Sequence, residues 1–359
     1  MKRRLIIYAP NVGVGGGLIL LRALLAALPI DQSCVVIRDK RGFASQSSGA
    51  HNVLEYWVES SVTGRLRAEM LLSRIAKNDD IVLCFHNLPP VFPVKGRILC
   101  YVHNLNLVGI VPTSSLHGWV AIRYSIERRI AAWFGFRIQE YIVQTASMAR
   151  ALRRTLRSSK KPIHIAPFVD HERMPNRPIP VVPSSETQGV ADSYDYDFVY
   201  ISDGATHKNH AKLLAAWVLL AKEGLYPTLA LTLHPIRDAE LKAEIETCSS
   251  KMGLKIFDLG QMPHERVLSL YGKTKALLFP SYAESFGIPL VEAQAAGVPI
   301  LAAELDFVRD ICDPAVTFDP HSAVSIARSV RRFLGQDKQS REIPTASGFI
   351  ALIQNSSKH

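Results

Sequence analysis

Two carboxylates, Glu284 and Glu292, sit on either side of a turn in the stretch Phe279-Pro-Ser-Tyr-Ala-Glu-Ser-Phe-Gly-Ile-Pro-Leu-Val-Glu. A carboxylate accepts two hydrogen bonds at once, so it suits a pair of vicinal hydroxyls. The residues between them offer main-chain donors. The apolar run Ala276–Phe279 reads as a buried parallel strand. Pro289 reads as the first position of the helix that follows. Gly287 lets the backbone approach a ligand closely. The amides of Ser285, Phe286 and Gly287 would then face the crevice beyond the strand's carboxyl end, where the positive end of the helix favours phosphate. Two hydroxyl-binding carboxylates beside one phosphate seat call for two hydroxylated rings joined through phosphate. A nucleotide sugar has that form.

The full string Pro-Ser-x-x-Glu-Ser-Phe-Gly-Ile-Pro-x-x-Glu-Ala-x-Ala-x-Gly-x-Pro resembles the signature of the retaining glycosyltransferases of family 4. The bare spacing of two glutamates is a weak signal, whereas the ordered Gly, Pro and Glu positions make a specific one. The resemblance implies the GT-B fold, two Rossmann-like domains facing each other across a cleft. It also implies transfer of a sugar from a nucleotide-diphosphate donor to a hydroxyl of a glycan or lipid-linked acceptor, in bacterial surface polysaccharide or lipopolysaccharide assembly. Glu292 would hold the ribose diol and Glu284 the hydroxyls of the transferred sugar. No metal and no cofactor are expected. Two other readings stay open: a nucleotide-sugar epimerase of the same fold, and a catalytically silent binding partner of a transferase complex.

Further residues join this pattern. Lys208 follows Asp203-Gly-Ala-Thr-His and precedes a helix, with Asn209 as its expected cap and a second donor contact. A fixed cation there would stabilise the charge that collects on the departing diphosphate. Members of the family commonly carry an Arg about five residues before this Lys; here that position is Asp203. His207, Arg266 or an Arg of the first domain are the candidate replacements. His103, in Tyr101-Val-His-Asn, matches a family histidine near the transferred sugar, while His86, in Cys84-Phe-His-Asn, repeats the pattern one strand earlier and competes for the role. Gly15 and Gly16, after the first strand, are similar to the family's glycine loop, which approaches the donor diphosphate or the acceptor, and are taken as donor-binding. The pair His207 and His210 lacks convincing zinc-ligand spacing.

These residues need a scaffold, and the chain alternates apolar strand-like runs with helical ones, an α/β pattern with parallel sheets. The expected strands of the first half are Leu5–Ala9, Cys34–Ile37, Ile81–Phe85, Arg97–Val102, Tyr141–Gln144 and Ile163–Phe168. Prolines at 175, 178, 180 and 183 mark a linker before the pattern restarts. The division is therefore an acceptor-binding domain at 1–174, a linker at 175–195, a nucleotide-sugar-binding domain at 196–335, and a C-terminal segment at 336–359 expected to cross back to the first domain. At 359 residues, the chain has room for two cores. A formal charge of +10 favours anionic partners. The arginines and lysines of 147–161 suggest contact with an anionic membrane surface, and no nucleic-acid-binding motif is evident. Five cysteines without paired spacing point to a reducing compartment. The apolar run Leu18–Leu28 is too short to span a bilayer. A cytoplasmic protein, peripheral on the inner face of the plasma membrane, is the expectation.

Overall fold

The computed structural model describes residues 3–42, 53–104, 107, 118–156, 160–168 and 194–336. The expected linker positions 175–193, the C-terminal segment 337–359 and Arg157 lie outside them. Two parallel sheets organise the chain. The first contains β1 (Leu5–Ala9), β2 (Cys34–Asp39), β3 (Val53–Val58), β4 (Ile81–Cys84), β5 (Arg97–Val102), β6 (Glu140–Val143) and β7 (Ile163–Ile165), in the order β3-β2-β1-β4-β5-β6-β7. The second contains β8 (Tyr196–Tyr200), β9 (Leu229–Leu231), β10 (Ile256–Asp258), β11 (Thr274–Phe279), β12 (Ile300–Ala303) and β13 (Val316–Phe318), in the order β10-β9-β8-β11-β12-β13. Each is a doubly wound sheet that reverses direction beside its first strand, and such reversals open a crevice at the carboxyl ends of the strands.

The strands are apolar because helices cover both faces. Ile6–Ala9 and Ala276–Phe279 are all buried. The second sheet packs on α5 (His210–Lys222), whose Trp217 is buried edge-on against Phe198 and donates its indole N–H to the Pro227 carbonyl. Burial of such a side chain contributes about 1.5–3 kcal/mol. The helices that concern the cleft are α1 (Gly15–Ala26), α4 (Ala146–Leu156), α7 (His264–Tyr271) and α8 (Ile288–Ala295), with α2 (Val62–Ile75), α3 (Gly118–Phe134), α6 (Ala239–Met252), α9 (Asp306–Arg309) and α10 (Ala323–Phe333) completing the layers.

Several expectations are corrected. β3 was not anticipated, although Val53-Leu-Glu-Tyr-Trp-Val is rich in strand-forming residues. Its burial is only partial, so its apolar signal is diluted at the sheet edge. Helix α1 begins at Gly15, so the three glycines form its first turn instead of a preceding loop. Pro289 is the second residue of α8; Ile288 is the first, and Gly287 is the cap, with φ 69°. That left-handed conformation favours glycine for steric reasons.

Candidate functional site

The loops after β8 and β11 lie side by side because their strands are neighbours. Several bonds zip them together. The Tyr282 amide donates to the His207 carbonyl at 2.8 Å, and the Tyr200 hydroxyl donates to the Lys208 carbonyl at 2.8 Å while lying 2.9 Å from Ser281 Oγ. Burial, with Glu284 adding, pushes the Tyr200 phenol up, so it stays protonated as a donor. Asn209 Nδ2 donates to the carbonyls of Pro280 and Pro320. These bonds turn Lys208 toward Glu284, and Nζ stands 2.5 Å from Oε1.

This pair opens on a cleft of about 500 Å³ lined by residues of both domains. Gly15, Gly16 and His103 come from the first domain, and Lys208, Glu284, Ser285, Phe286, Gly287 and Glu292 from the second. The amides of Ser285 to Ile288 have no acceptor among the described residues. Helices α1 and α8 both point their N-termini into the cleft, and Gly16 lies against Ile288 across it. The cleft is thus rich in main-chain donors and favours an anion.

Asn209 is a correction. Its side chain caps no helix amide, it is buried, and it holds the two loops together, so it is not among the residues lining the cleft. A polar residue before a helix reads as a cap from sequence, while the partner carbonyls come from residues far along the chain.

Glu292 is only 2% exposed. Its Oε2 accepts from the Tyr271 hydroxyl at 2.9 Å, and its Oε1 is 2.6 Å from His264 Nε2. Burial and the carboxylate push the Tyr271 phenol far up. His264 and Tyr271 were not anticipated. Their separation of two turns on α7 places both on one face, a spacing visible in the sequence but uninformative until Glu292 is known to lie opposite.

The two His-Asn pairs act together. Asn87, with φ 74°, accepts from the His103 amide at 2.6 Å. His103 Nε2 lies 3.0 Å from the Phe85 carbonyl and 3.3 Å from Asn87 Nδ2. Burial holds its pKa below the usual imidazole value. The ring rests against Gly17, where a Cβ would come within 2.9 Å of Cε1. His86 instead is fastened between Tyr8 O and Arg65 and is held neutral by burial and by that guanidinium. His103 faces the large cleft; His86 faces only a smaller cavity of about 140 Å³ that the two histidines share with Asn11, Asn87, Asn104 and Arg123.

Asp203 turns outward to Arg237 at 3.3 Å. Of the three proposed replacements for the absent arginine, neither His207 nor Arg266 lines the cleft; Arg22 of α1 does. His210 Nε2 lies 2.9 Å from the Asp203 carbonyl and 3.1 Å from Ser202 Oγ, which makes it a loop strut. Two basic residues of the stretch 147–161 are committed elsewhere, while Arg153, Arg154 and Lys160 are exposed. Arg150 pairs with Asp306 of the second domain at 2.9 Å, and Lys161 donates to the carbonyls of Gly135, Phe136 and Ile138. Across the same junction the Ser147 amide donates to Asp310 at 2.8 Å.

His86, His103, His207 and His210 all have pKa values lowered chiefly by burial. The unfolded chain takes up these protons near pH 6.5, roughly the free imidazole value, whereas the native sites resist them. The unfolded state then binds more protons, so stability falls as pH drops below that value. Thermal melts between pH 7.5 and 5 should show a progressive loss of Tm, and a flat profile would contradict the burial of these rings.

Residues 184–347 match the family model described as glycosyl transferases group 1. The second domain is thus similar to that family. Among curated relatives, the chain is 29% identical over 153 residues to O-antigen chain mannosyltransferase B of Escherichia coli, covering 42% of this chain and 39% of that protein. The match thus spans about two-fifths of the relative's length. In structure, sucrose-phosphate synthase from Thermosynechococcus elongatus superposes with a TM-score of 0.68 at 16% identity, covering 93% of this chain and 90% of that one. Anabaena HepE in complex with UDP-glucose gives 0.66 at 14% identity, with both chains covered in full (100%). These likenesses show the GT-B fold. Among the described residues, no helix is long and apolar enough to cross a membrane.

Proposed function

We propose that the protein is a retaining glycosyltransferase that moves a sugar from a nucleoside-diphosphate donor to a hydroxyl of a polysaccharide precursor. What carries this reading is the convergence of Lys208, Glu284, Glu292 and the N-terminus of α8 in one cleft. The diphosphate would lie against the free amides of Ser285 to Ile288 and Lys208, with Arg22 as the second cation in place of the residue missing at Asp203. Glu292 would take the ribose, and Gln261 and Met262 would border the base. Glu284 would hold the hydroxyls of the transferred sugar, oriented by Lys208.

The acceptor hydroxyl would approach from the smaller cavity on the other side of His103. As the anomeric carbon–oxygen bond to phosphate breaks, negative charge grows on the diphosphate, where a fixed lysine and fixed amides stabilise it. The new bond forms on the face the diphosphate leaves, and a phosphate oxygen takes the acceptor's proton. A mannosyl donor is the first choice, supported by the names of the E. coli relatives. The first domain would rest on anionic lipid through Trp133 and Phe136, each 70% exposed, beside Lys160 and the exposed Arg153 and Arg154.

Thermal melting with UDP, GDP, ADP and dTDP tests the nucleotide seat, because a ligand that prefers the folded state raises Tm. At least one is expected to stabilise; stabilisation by none of them sinks the reading. Incubation with the matching sugar nucleotide then separates the alternatives. Transfer should require an acceptor glycan, whereas an altered sugar nucleotide formed without acceptor would indicate an epimerase, and binding without either product a silent partner.

A further inference from the structure

Each oxygen of the carboxylate assigned to the ribose already has a partner in this structure. Tyr271, itself fully buried, holds Oε2 from behind at 2.9 Å. His264 lies 2.6 Å from Oε1, so Nε2 carries the ring proton and donates it. The two partners differ in a way that matters. Tyr271 is locked in the core and also within 3.2 Å of the Pro289 carbonyl, whereas His264 is 25% exposed, lines the cleft, and is the first residue of its helix. Glu292 lines the cleft but is only 2% exposed, so it offers two ribose hydroxyls little open surface in this arrangement. The partner that a ligand in the cleft can reach is therefore His264.

Resting on the reading of Glu292 as the ribose carboxylate, we infer that His264 is a built-in occupant of the ribose seat, which the nucleotide's hydroxyls must displace. Before binding, the imidazole N–H satisfies a buried charge that would otherwise be costly to leave unpaired. On binding, Oε1 exchanges one hydrogen bond for those of the ribose, while Tyr271 keeps the carboxylate in register. The exchange makes His264 an affinity- and specificity-determining residue. A ligand offering a diol gains one bond net at this seat, and a ligand offering one hydroxyl gains none. A ligand without ribose binds without disturbing His264 at all.

The test compares wild type with His264→Ala and His264→Gln by calorimetry, using the nucleoside diphosphate that gives the largest Tm shift and, separately, inorganic diphosphate. Removal of the competing donor should tighten nucleoside diphosphate binding about tenfold, the scale of one charge-assisted hydrogen bond. Inorganic diphosphate affinity should stay the same in all three proteins. His264→Gln, which keeps an N–H donor, should resemble wild type more than His264→Ala does, and this comparison also guards against a general folding defect. Unchanged or weaker nucleoside diphosphate binding by His264→Ala overturns the inference while leaving the nucleotide-sugar reading intact. Failure of every nucleoside diphosphate to bind wild type and variants alike overturns both.

Discussion

Lys208→Ala is expected to lower kcat by about a hundred- to a thousand-fold, the usual loss when one preorganised stabiliser of transition-state charge is removed. The lysine stands in the wall of the cleft with only 17% of its side chain exposed, and its one close anionic partner among the described residues is Glu284, 10% exposed. The substitution has a second consequence. It strands a carboxylate that has little access to water, and breaking such a pair costs about 3–5 kcal/mol when burial is complete. Loss of turnover through unfolding must therefore be separated from loss through chemistry. The double variant Lys208→Met with Glu284→Gln removes both charges and should recover most of the Tm, because neither side chain is left as an unpaired ion. Turnover should stay low in that protein. Full turnover in Lys208→Ala, or recovery of turnover together with Tm in the double variant, would show that the pair is a strut between two loops and no part of the chemistry.

Glu292→Gln should weaken nucleoside diphosphate binding by about ten- to a hundred-fold, since hydrogen bonds to a charged acceptor are worth about 1.5–3 kcal/mol and the amide keeps only one acceptor oxygen. The conservative change is the informative one. Glu292→Ala would also remove one partner of the buried Tyr271 hydroxyl, leaving it the Pro289 carbonyl alone, and would open a cavity under α8. Calorimetry with the tightest-binding ribonucleoside diphosphate measures the effect. Equal affinity in Glu292→Gln and wild type would remove Glu292 from the nucleotide seat, and the role given to His264 would go with it.

Much of this site was legible before any coordinates. The string from Phe279 to Pro299 names its own geometry: a strand, a turn with Gly287 at positive φ, a helix with a proline in its first turn, and carboxylates at fixed places along it. Those are local features, set by backbone sterics and by the orphan amides of a helix start. The alternation of apolar runs announced parallel sheets for the same reason, because buried strands must be apolar on both faces. Local pattern also misled where partners were distant. Asn209 looks like a cap in sequence, yet its amide is spent on Pro280 and Pro320.

The amino-acid sequence by itself determined the phosphate-ready turn, the residues Lys208, Glu284 and Glu292, and the two-sheet plan, because each follows from short-range chemistry or periodicity. Only the tertiary structure decided which of those residues meet. Strands β8 and β11 must be neighbours for Lys208 to reach Glu284, α7 must cross behind α8 for His264 and Tyr271 to close on Glu292, and Asn87 must come from the adjacent strand to fix His103. Such contacts join residues 16 to 76 positions apart, and the strand order that brings them together is a property of how whole layers pack, which no local window contains.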